Sequence, residues 1–217
     1  GGGGLTGGAL ATRTIVGLPI GHFYGYQVAG IFQNAAEIAS SAQTSAKPGD
    51  FKYVDQNKDG VISGLDRIVL GNPNPKYTYG INTLFGYKQF DLAVDFQGVA
   101  GVQVYNANLG WRYGNENFTK DFYNNRWHGE GTSTTYPSVG IGGGTNYLPN
   151  SFFVENGSYF RIRNMQLGYT LPENMAKKIF AKKLRVYANA QNAFTFFKYK
   201  GFSPEIRAEN NSPLNAG

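Results

Sequence analysis

The segment 55–66 has the residue types and spacing of a calcium-binding loop. Oxygen-bearing side chains stand at its positions 1, 3 and 5, which are Asp55, Asn57 and Asp59, and Gly60 follows at position 6, where such a loop turns sharply. Calcium takes six to eight hard oxygen ligands, and this spacing wraps carboxylate and amide oxygens around one point. The pattern therefore predicts a bound calcium ion, with an Asp- and Asn-rich turn without metal as the alternative.

The second half of the loop supplies the remaining ligands. Val61 at position 7 offers its backbone carbonyl, Ser63 stands at position 9, and Asp66 closes the loop at position 12. Ile62, between them, is expected to pack inward and anchor the loop. The preceding stretch 47–50 contains Pro and Gly, so it cannot form the helix that enters an EF-hand. We therefore expect an isolated structural site rather than a pair of sensor sites.

Aromatic residues in the long segment 99–157 are the second candidate for binding chemistry. Trp111, Tyr113 and Trp127 can stack on sugar rings, so they are predicted substrate contacts, with packing inside the loop or at a membrane surface as the alternative. Few residues could serve as catalytic groups, because the chain has no Cys and only two His, and its acidic residues show no paired spacing. The sequence therefore predicts that the protein is not an enzyme.

The composition favours a membrane protein built from strands. Charged residues make up 16% of the chain and the net charge is +6, which is too dilute for a nucleic-acid-binding stripe. The one dense cluster, interpreted as a solvated turn, consists of Lys177, Lys178, Lys182 and Lys183. No run of about 18 apolar residues is present. Few charges, many aromatics and a negative mean hydropathy are typical of a transmembrane β-barrel, in which alternate residues face lipid.

The clearest strand pattern lies in 77–98. Apolar residues alternate with polar or small ones on both sides of a turn at 86–89, which is the period-2 signature of a β-hairpin. Each arm is about nine residues long, close to the length that crosses a bilayer as a tilted strand. A further strand is predicted around 23–32.

A second hairpin is predicted at 159–194. Its first strand changes phase, so a β-bulge near Arg163 and Asn164 is needed to keep its apolar residues on one face. Pro172 ends this strand, and 173–183 is predicted to be a short, partly helical connection.

Short and long connections alternate along the chain. Short turns are predicted at 86–89 and 172–183, and long segments at 33–74 and 99–157. Outer-membrane barrels have short periplasmic turns and long external loops. The sequence therefore predicts an all-β fold, an antiparallel transmembrane β-barrel segment with long extracellular loops, and places 55–66 inside one of those loops.

Several blocks of residues, in this order, are specific enough to indicate a family. They are Gly21–Tyr26, Gly30–Gln33, Pro48–Tyr53, Gly71–Gly80, Phe90–Gly98, Ser158–Pro172, Leu184–Tyr187 and Gln191–Thr195. Together they resemble the C-terminal part of the SusC/RagA family of TonB-linked outer-membrane transporters of Bacteroidetes. The resemblance extends over most of the chain.

The resemblance implies a large barrel in the outer membrane, surrounded by its lipids, with an N-terminal plug and energised by the TonB complex. It also implies a SusD-like surface lipoprotein as partner and glycans or peptides as substrates. The plug and the final aromatic strand of the family are not recognised within 1–217, so this chain is expected to be an incomplete part of the barrel. Substrate contacts differ between family members, and none is carried over.

A rival interpretation comes from another class of protein. A secreted, soluble all-β module, stabilised by calcium and holding carbohydrate with loop aromatics, would also show alternating strands, because a β-sandwich has one buried and one exposed face. Partitioning separates the two, since a barrel needs detergent and a soluble module does not.

Overall fold

The structure is a computed structural model that describes residues 10–109, 118–139, 144–201 and 203–205. Strands are the main regular structure of the described residues and helices are few, in agreement with the predicted all-β class. The strands are β1 (Thr12–Arg13), β2 (His22–Tyr26), β3 (Val28–Ile31), β4 (Phe51–Tyr53), β5 (Arg67–Gly71), β6 (Tyr77–Tyr87), β7 (Phe90–Ala100), β8 (Gln103–Tyr105), β9 (Val154–Asn156), β10 (Tyr159–Thr170) and β11 (Arg185–Phe197).

The helices are short. They are α1 (Ala35–Ala39), α2 (Lys120–Asn125) and α3 (Glu173–Lys178), together with single 3₁₀ turns at Gly64–Asp66, Ala107–Leu109, Thr145–Tyr147 and Ser151–Phe153. In the described part of the chain, no helix has the length and apolar composition needed to cross a membrane.

The chain divides into two compact units. One, here called the sheet unit, comprises Pro75–Val102 and Gly157–Tyr199. The other, here called the core unit, comprises the described residues of Gly1–Asn74, Gln103–Asn156 and Lys200–Gly217.

The sheet unit is one antiparallel sheet with the strand order β11-β10-β7-β6. Both predicted hairpins are confirmed: Lys88 and Gln89 alone join β6 to β7, and residues 171–184 join β10 to β11. The predicted bulge is also confirmed, because both ladders of β10 shift register between Ile162 and Asn164. Against β7, Arg163 is the extra residue, and it keeps the apolar side chains before and after it on one face. Against β11 the extra residue belongs to β11, where Asn192 and Ala193 together oppose Arg163.

One face of this sheet is apolar and the other is polar. A row of directly paired residues crosses the apolar face: Phe85, Leu92, Leu167 and Ala188. The side chains of this face are largely uncovered, since Phe85 is 61% exposed and Leu167 51%. The sheet unit therefore has no apolar layer of its own packed on that face within the described residues.

The opposite face carries polar rows. Asn82, Asp95, Asn164 and Gln191 are paired directly across the four strands. Near one end of the sheet, the Arg185 Nε donates to the Asp91 Oδ1 at 3.1 Å. This ion pair passes over Gly168, where a Cβ atom would collide with both partners.

The core unit contains small sheets in the order β1-β2-β5, β3-β4 and β8-β9. The strand predicted around 23–32 is found as two strands, β2 and β3, which have different partners. The backbone of Pro149 lies against Gly25, and the Tyr26 N–H donates to the Pro149 carbonyl at 2.8 Å. This close approach ends β2, and after Gln27 the chain pairs with β4 instead.

Two clusters of buried side chains form the interior of the core unit. The first consists of Ala11, Phe23, Tyr105, Leu109 and Phe153. The second consists of Ile31, Phe51 and Tyr53, with Ile62 and Trp127 packed against it. The segments 33–74 and 99–157 therefore contain ordered elements with their own packing.

Candidate functional site

The predicted calcium loop lies between β4 and β5 and ends with the 3₁₀ turn Gly64–Asp66. As predicted, no helix enters it, and Ile62 packs inward against the Ile31, Phe51 and Tyr53 cluster. The Ile62 N–H also donates to the Ala42 carbonyl at 3.1 Å. These contacts hold one side of the loop against the core unit, while its tip at 58–61 is exposed.

Asp55 organises the first half of the loop. Its carboxylate accepts from the backbone N–H groups of Lys58 at 2.6 Å and Gly60 at 2.9 Å. Lys58 has φ 60° and Gly60 has φ 82°, so the chain takes the left-handed conformation twice while it bends around this carboxylate. Gly at the second of these positions makes the bend without crowding a Cβ atom.

Asn57 and Asp59 lie together within the same turn. The Asn57 Nδ2 donates to the Asp59 Oδ2 at 2.8 Å, and the Asp59 Oδ1 accepts from the Val61 N–H at 2.9 Å. The alternate oxygen-bearing residues therefore lie in one compact turn, and their side chains accept hydrogen bonds from the turn's own N–H groups.

Asp66 closes the loop. It is fully buried, and its two oxygens accept from the N–H groups of Gln56 at 2.9 Å and Ser63 at 2.7 Å. The Ser63 Oγ in turn accepts from the Leu65 N–H, and Ser63 and Asp66 form a capping box. The N–H of Ser63 above all, with that of Gln56, holds the pKa of Asp66 below its ordinary value, although burial acts in the opposite direction.

The loop contains the oxygen chemistry that calcium uses, but its carboxylates are already engaged by N–H groups. Among the described residues, no group of three or more His, Cys, Asp or Glu side chains is arranged to hold a metal ion. An ion in the turn would draw on Asp55, Asn57 and Asp59, with the Val61 carbonyl and Ser63 beside them and Asp66 at the closing position. Calcium binding by this loop stays a prediction.

Of the predicted substrate aromatics, the structure describes one. Trp127 is half-buried against the Phe51 cluster, and its indole N–H donates to the Gln33 Oε1 at 3.3 Å. Trp111 and Tyr113 lie outside the described residues. Packing within the long segment, the alternative to a substrate contact, explains the position of Trp127. The substrate role of all three residues stays a prediction.

A polar network in the core unit has no signature in the sequence. The Lys200 Nζ donates to the Tyr136 hydroxyl at 2.6 Å, which donates to the Asp121 Oδ2 at 2.7 Å. The Lys200 N–H donates to Glu155 at 2.8 Å, and the other oxygen of Glu155 accepts from Asn106. The hydrogen bond to Tyr136 raises the pKa of Lys200, and burial raises that of Tyr136. The network ties α2 and β9 to the segment after β11.

The aromatic interior leaves little space. A cavity of about 10 Å³ lies among apolar and aromatic residues, roughly the room for one water molecule. Its lining includes Phe51, Leu109, Phe118, Phe122, Phe152 and Phe153. A sugar or peptide does not fit there, so this interior is structural.

Proteins of similar sequence are TonB-dependent receptors. TonB-dependent receptor P3 of Formosa agariphila is 34% identical over 204 residues, which cover 92% of this chain and 20% of that receptor. TonB-dependent receptor SusC of Bacteroides thetaiotaomicron is 30% identical over 166 residues, which cover 76% of this chain and 16% of that receptor. No protein-family model matches the sequence.

A solved structure agrees with these relatives. The RagAB peptide importer in its open-open state has a TM-score of 0.65 and 25% identity, over 89% of this chain and 20% of that chain. The relatives are receptors and an importer rather than enzymes. This chain spans about a fifth of the length of the first of them. By sequence and by structure, the chain belongs to the SusC/RagA family of TonB-dependent receptors.

Proposed function

We propose that this chain is part of an outer-membrane importer that takes up oligomeric nutrients by TonB-dependent transport. In this proposal the sheet unit spans the membrane as one section of a barrel wall, with its apolar face toward lipid and its polar face toward the interior. The core unit belongs to the extracellular segments that join the strands.

The observation that carries the proposal is the exposed apolar face of the sheet unit. Its strands are 11 to 13 residues long, enough for a tilted strand to cross the hydrocarbon layer. Exposing this face to water would cost roughly 25 cal/mol of free energy for each Å² of apolar surface, whereas contact with lipid removes that cost. A soluble calcium-stabilised carbohydrate-binding module has less support, because it would cover this face with a second layer.

The relatives support a substrate class and partners for this proposal. RagAB is a peptide importer, which supports peptides as the substrate class to test, and the family resemblance adds glycans. A SusD-like lipoprotein is the expected partner at the cell surface, and the TonB complex is expected to supply the energy.

The 55–66 loop has a structural part in this proposal. Calcium held by Asp55, Asn57, Asp59 and the closing Asp66 would stiffen an extracellular segment by drawing its carboxylates together, because the ion replaces their mutual repulsion with shared attraction.

Uptake by cells that carry the intact receptor tests the proposal. Deleting the receptor gene should abolish accumulation of labelled peptides or glycans, and a protonophore should do the same in the parent strain. Co-purification from detergent-solubilised outer membranes should recover a lipoprotein. A receptor that fractionates as a soluble protein, or uptake that persists without it, would contradict the proposal.

A further inference from the structure

The connection between β10 and β11 places a bulky residue where the backbone conformation favours Gly. Helix α3 ends with two hydrogen bonds, from the Ala181 N–H to the Ala176 carbonyl and from the Phe180 N–H to the Lys177 carbonyl, each 3.1 Å long. This is the Schellman pattern, whose left-handed position is usually Gly. Here that position is Phe180, with φ 58°. Left-handed backbone is a rare outlier for a bulky side chain.

Phe180 gains no packing in return for this strain. Its side chain is 101% exposed, and the neighbouring Ile179 and Met175 are 55% and 48% exposed. Three large apolar side chains thus stand in solvent on one short turn. Strain that local packing does not explain indicates a function, and a cluster of exposed apolar residues indicates what it contacts.

Lysines surround this apolar cluster. Lys177 is paired with Glu173 at 2.8 Å. Within the described part of the chain, Lys178, Lys182 and Lys183 have no carboxylate at ion-pair distance. Three uncompensated ammonium groups beside exposed apolar side chains complement a surface that is anionic outside and apolar beneath.

We infer that the segment Glu173–Lys183, here called the basic turn, docks on anionic phospholipid. Phe180, Ile179 and Met175 enter the boundary between headgroups and acyl chains, while the lysines pair with lipid phosphates. Long basic side chains beside buried apolar ones are the usual composition of such an interfacial segment. The inference rests on the proposed function, since it requires that the sheet unit lies in a membrane.

The neighbouring turn supports lipid over an acidic protein. The Thr170 N–H donates to the Gln89 carbonyl at 2.8 Å, so the β6–β7 turn lies beside the start of the basic turn. That turn has the same composition: Tyr87 is 72% exposed, and the Lys88 Nζ lies 5.3 Å from the centre of its ring. Two turns at one end of the sheet repeat the aromatic and basic pattern of a membrane interface.

Lipid retention by the intact receptor tests the inference. Receptor solubilised from nanodiscs of phosphatidylcholine and phosphatidylglycerol is analysed by native mass spectrometry for the ratio of the two retained lipids. Replacing all three free lysines (K178Q, K182Q, K183Q) should lower phosphatidylglycerol enrichment at least fivefold, since each basic residue near an anionic surface contributes roughly fivefold. The matched control replaces three exposed lysines outside the basic turn (K47Q, K76Q, K120Q) and should leave the enrichment unchanged.

Phe180→Gly separates docking from folding. Gly suits the left-handed position, so the thermal midpoint in detergent should stay the same or rise, while lipid retention falls several-fold. Equal retention by wild type and both basic-turn variants, in a receptor that does fractionate with the outer membrane, would overturn the inference and leave the proposed function standing. Loss of an acidic protein partner with unchanged lipid retention would also overturn it.

Discussion

Phenylalanine side chains are buried in the core unit and exposed in the sheet unit. In the core unit Phe23, Phe32 and Phe51 are at most 1% exposed, whereas in the sheet unit Phe85 and Phe196 are 61% and 58% exposed. The core unit thus derives stability from packing inside the chain. The sheet unit joins its four strands by continuous hydrogen-bonded ladders but leaves its apolar face to its surroundings.

This contrast indicates what each unit needs in order to fold. A packed interior stabilises its unit in water as well as beside a bilayer. An uncovered apolar face is favourable only where water is absent. Substitutions in the two units should therefore respond differently to the presence of a bilayer.

The largest effect is expected for Phe51→Ala. The side chain is fully buried in the second cluster of the core unit, and removing it leaves a cavity that costs about 3–5 kcal/mol of stability. Limited proteolysis of the intact receptor should show cleavage in the core unit and an unchanged sheet unit. Phe196→Ala, at an exposed position of the same residue type, is the control. Protection of the core unit equal to wild type would show that its interior is not self-supporting.

Leu167→Arg should have the next largest effect, and only in a membrane. Arg on a lipid-facing strand position costs about 2–4 kcal/mol near the middle of the bilayer. Gln166→Arg, one residue away and on the polar face, is the control. Folding yield into vesicles, followed by heat-modifiable gel migration, measures both. Similar yields for the two variants would mean that the two faces do not meet different environments.

Asp66→Asn should destabilise the 55–66 loop by about 1–3 kcal/mol, because an amide cannot accept from both Gln56 and Ser63 N–H groups. Since the pKa of Asp66 is lowered in the folded state, its stabilisation is fully present above the unfolded pKa near 3.9 and is lost as the pH falls through the lower folded value. Hydrogen exchange of these amides measures the effect. Wild-type protection that stays constant below that range would contradict it.

The smallest effect is expected for Asp59→Ala. Without metal it removes two exposed hydrogen bonds, from the Val61 N–H and the Asn57 Nδ2. Because water can replace both partners, the combined loss should be about 0.5–1.5 kcal/mol. With calcium the difference should grow, because a predicted ligand is missing, while assembly of the sheet unit stays normal. Protease sensitivity of the loop is compared with calcium and with chelator. Equal sensitivity of wild type and variant under both conditions would contradict calcium binding.

Local patterns predicted the sheet unit well. Period-2 alternation located both hairpins, and the change of phase between Ile162 and Met165 located the bulge at Arg163. Pro172 marked the end of β10. These features depend on residues a few positions apart, so they are legible in the sequence.

The core unit was harder to predict because its contacts are distant in sequence. Nothing near Gly25 indicates that Pro149 will lie against it and divide the expected strand. Tyr136 and Lys200 likewise meet only because packing brings their segments together. Alternation and turn residues carry no information about such partners.

The sequence by itself determined the strand pattern of the sheet unit, its two unlike faces and the compact turn around Asp55, because each follows from spacing along a few residues. Only the tertiary structure decided that Trp127 packs inside the core unit, that Asp66 is fully buried as the closing cap, and that Phe180 stands exposed in a left-handed turn. Burial and exposure depend on which distant segments arrive beside a residue, and that depends on the packing of the whole unit.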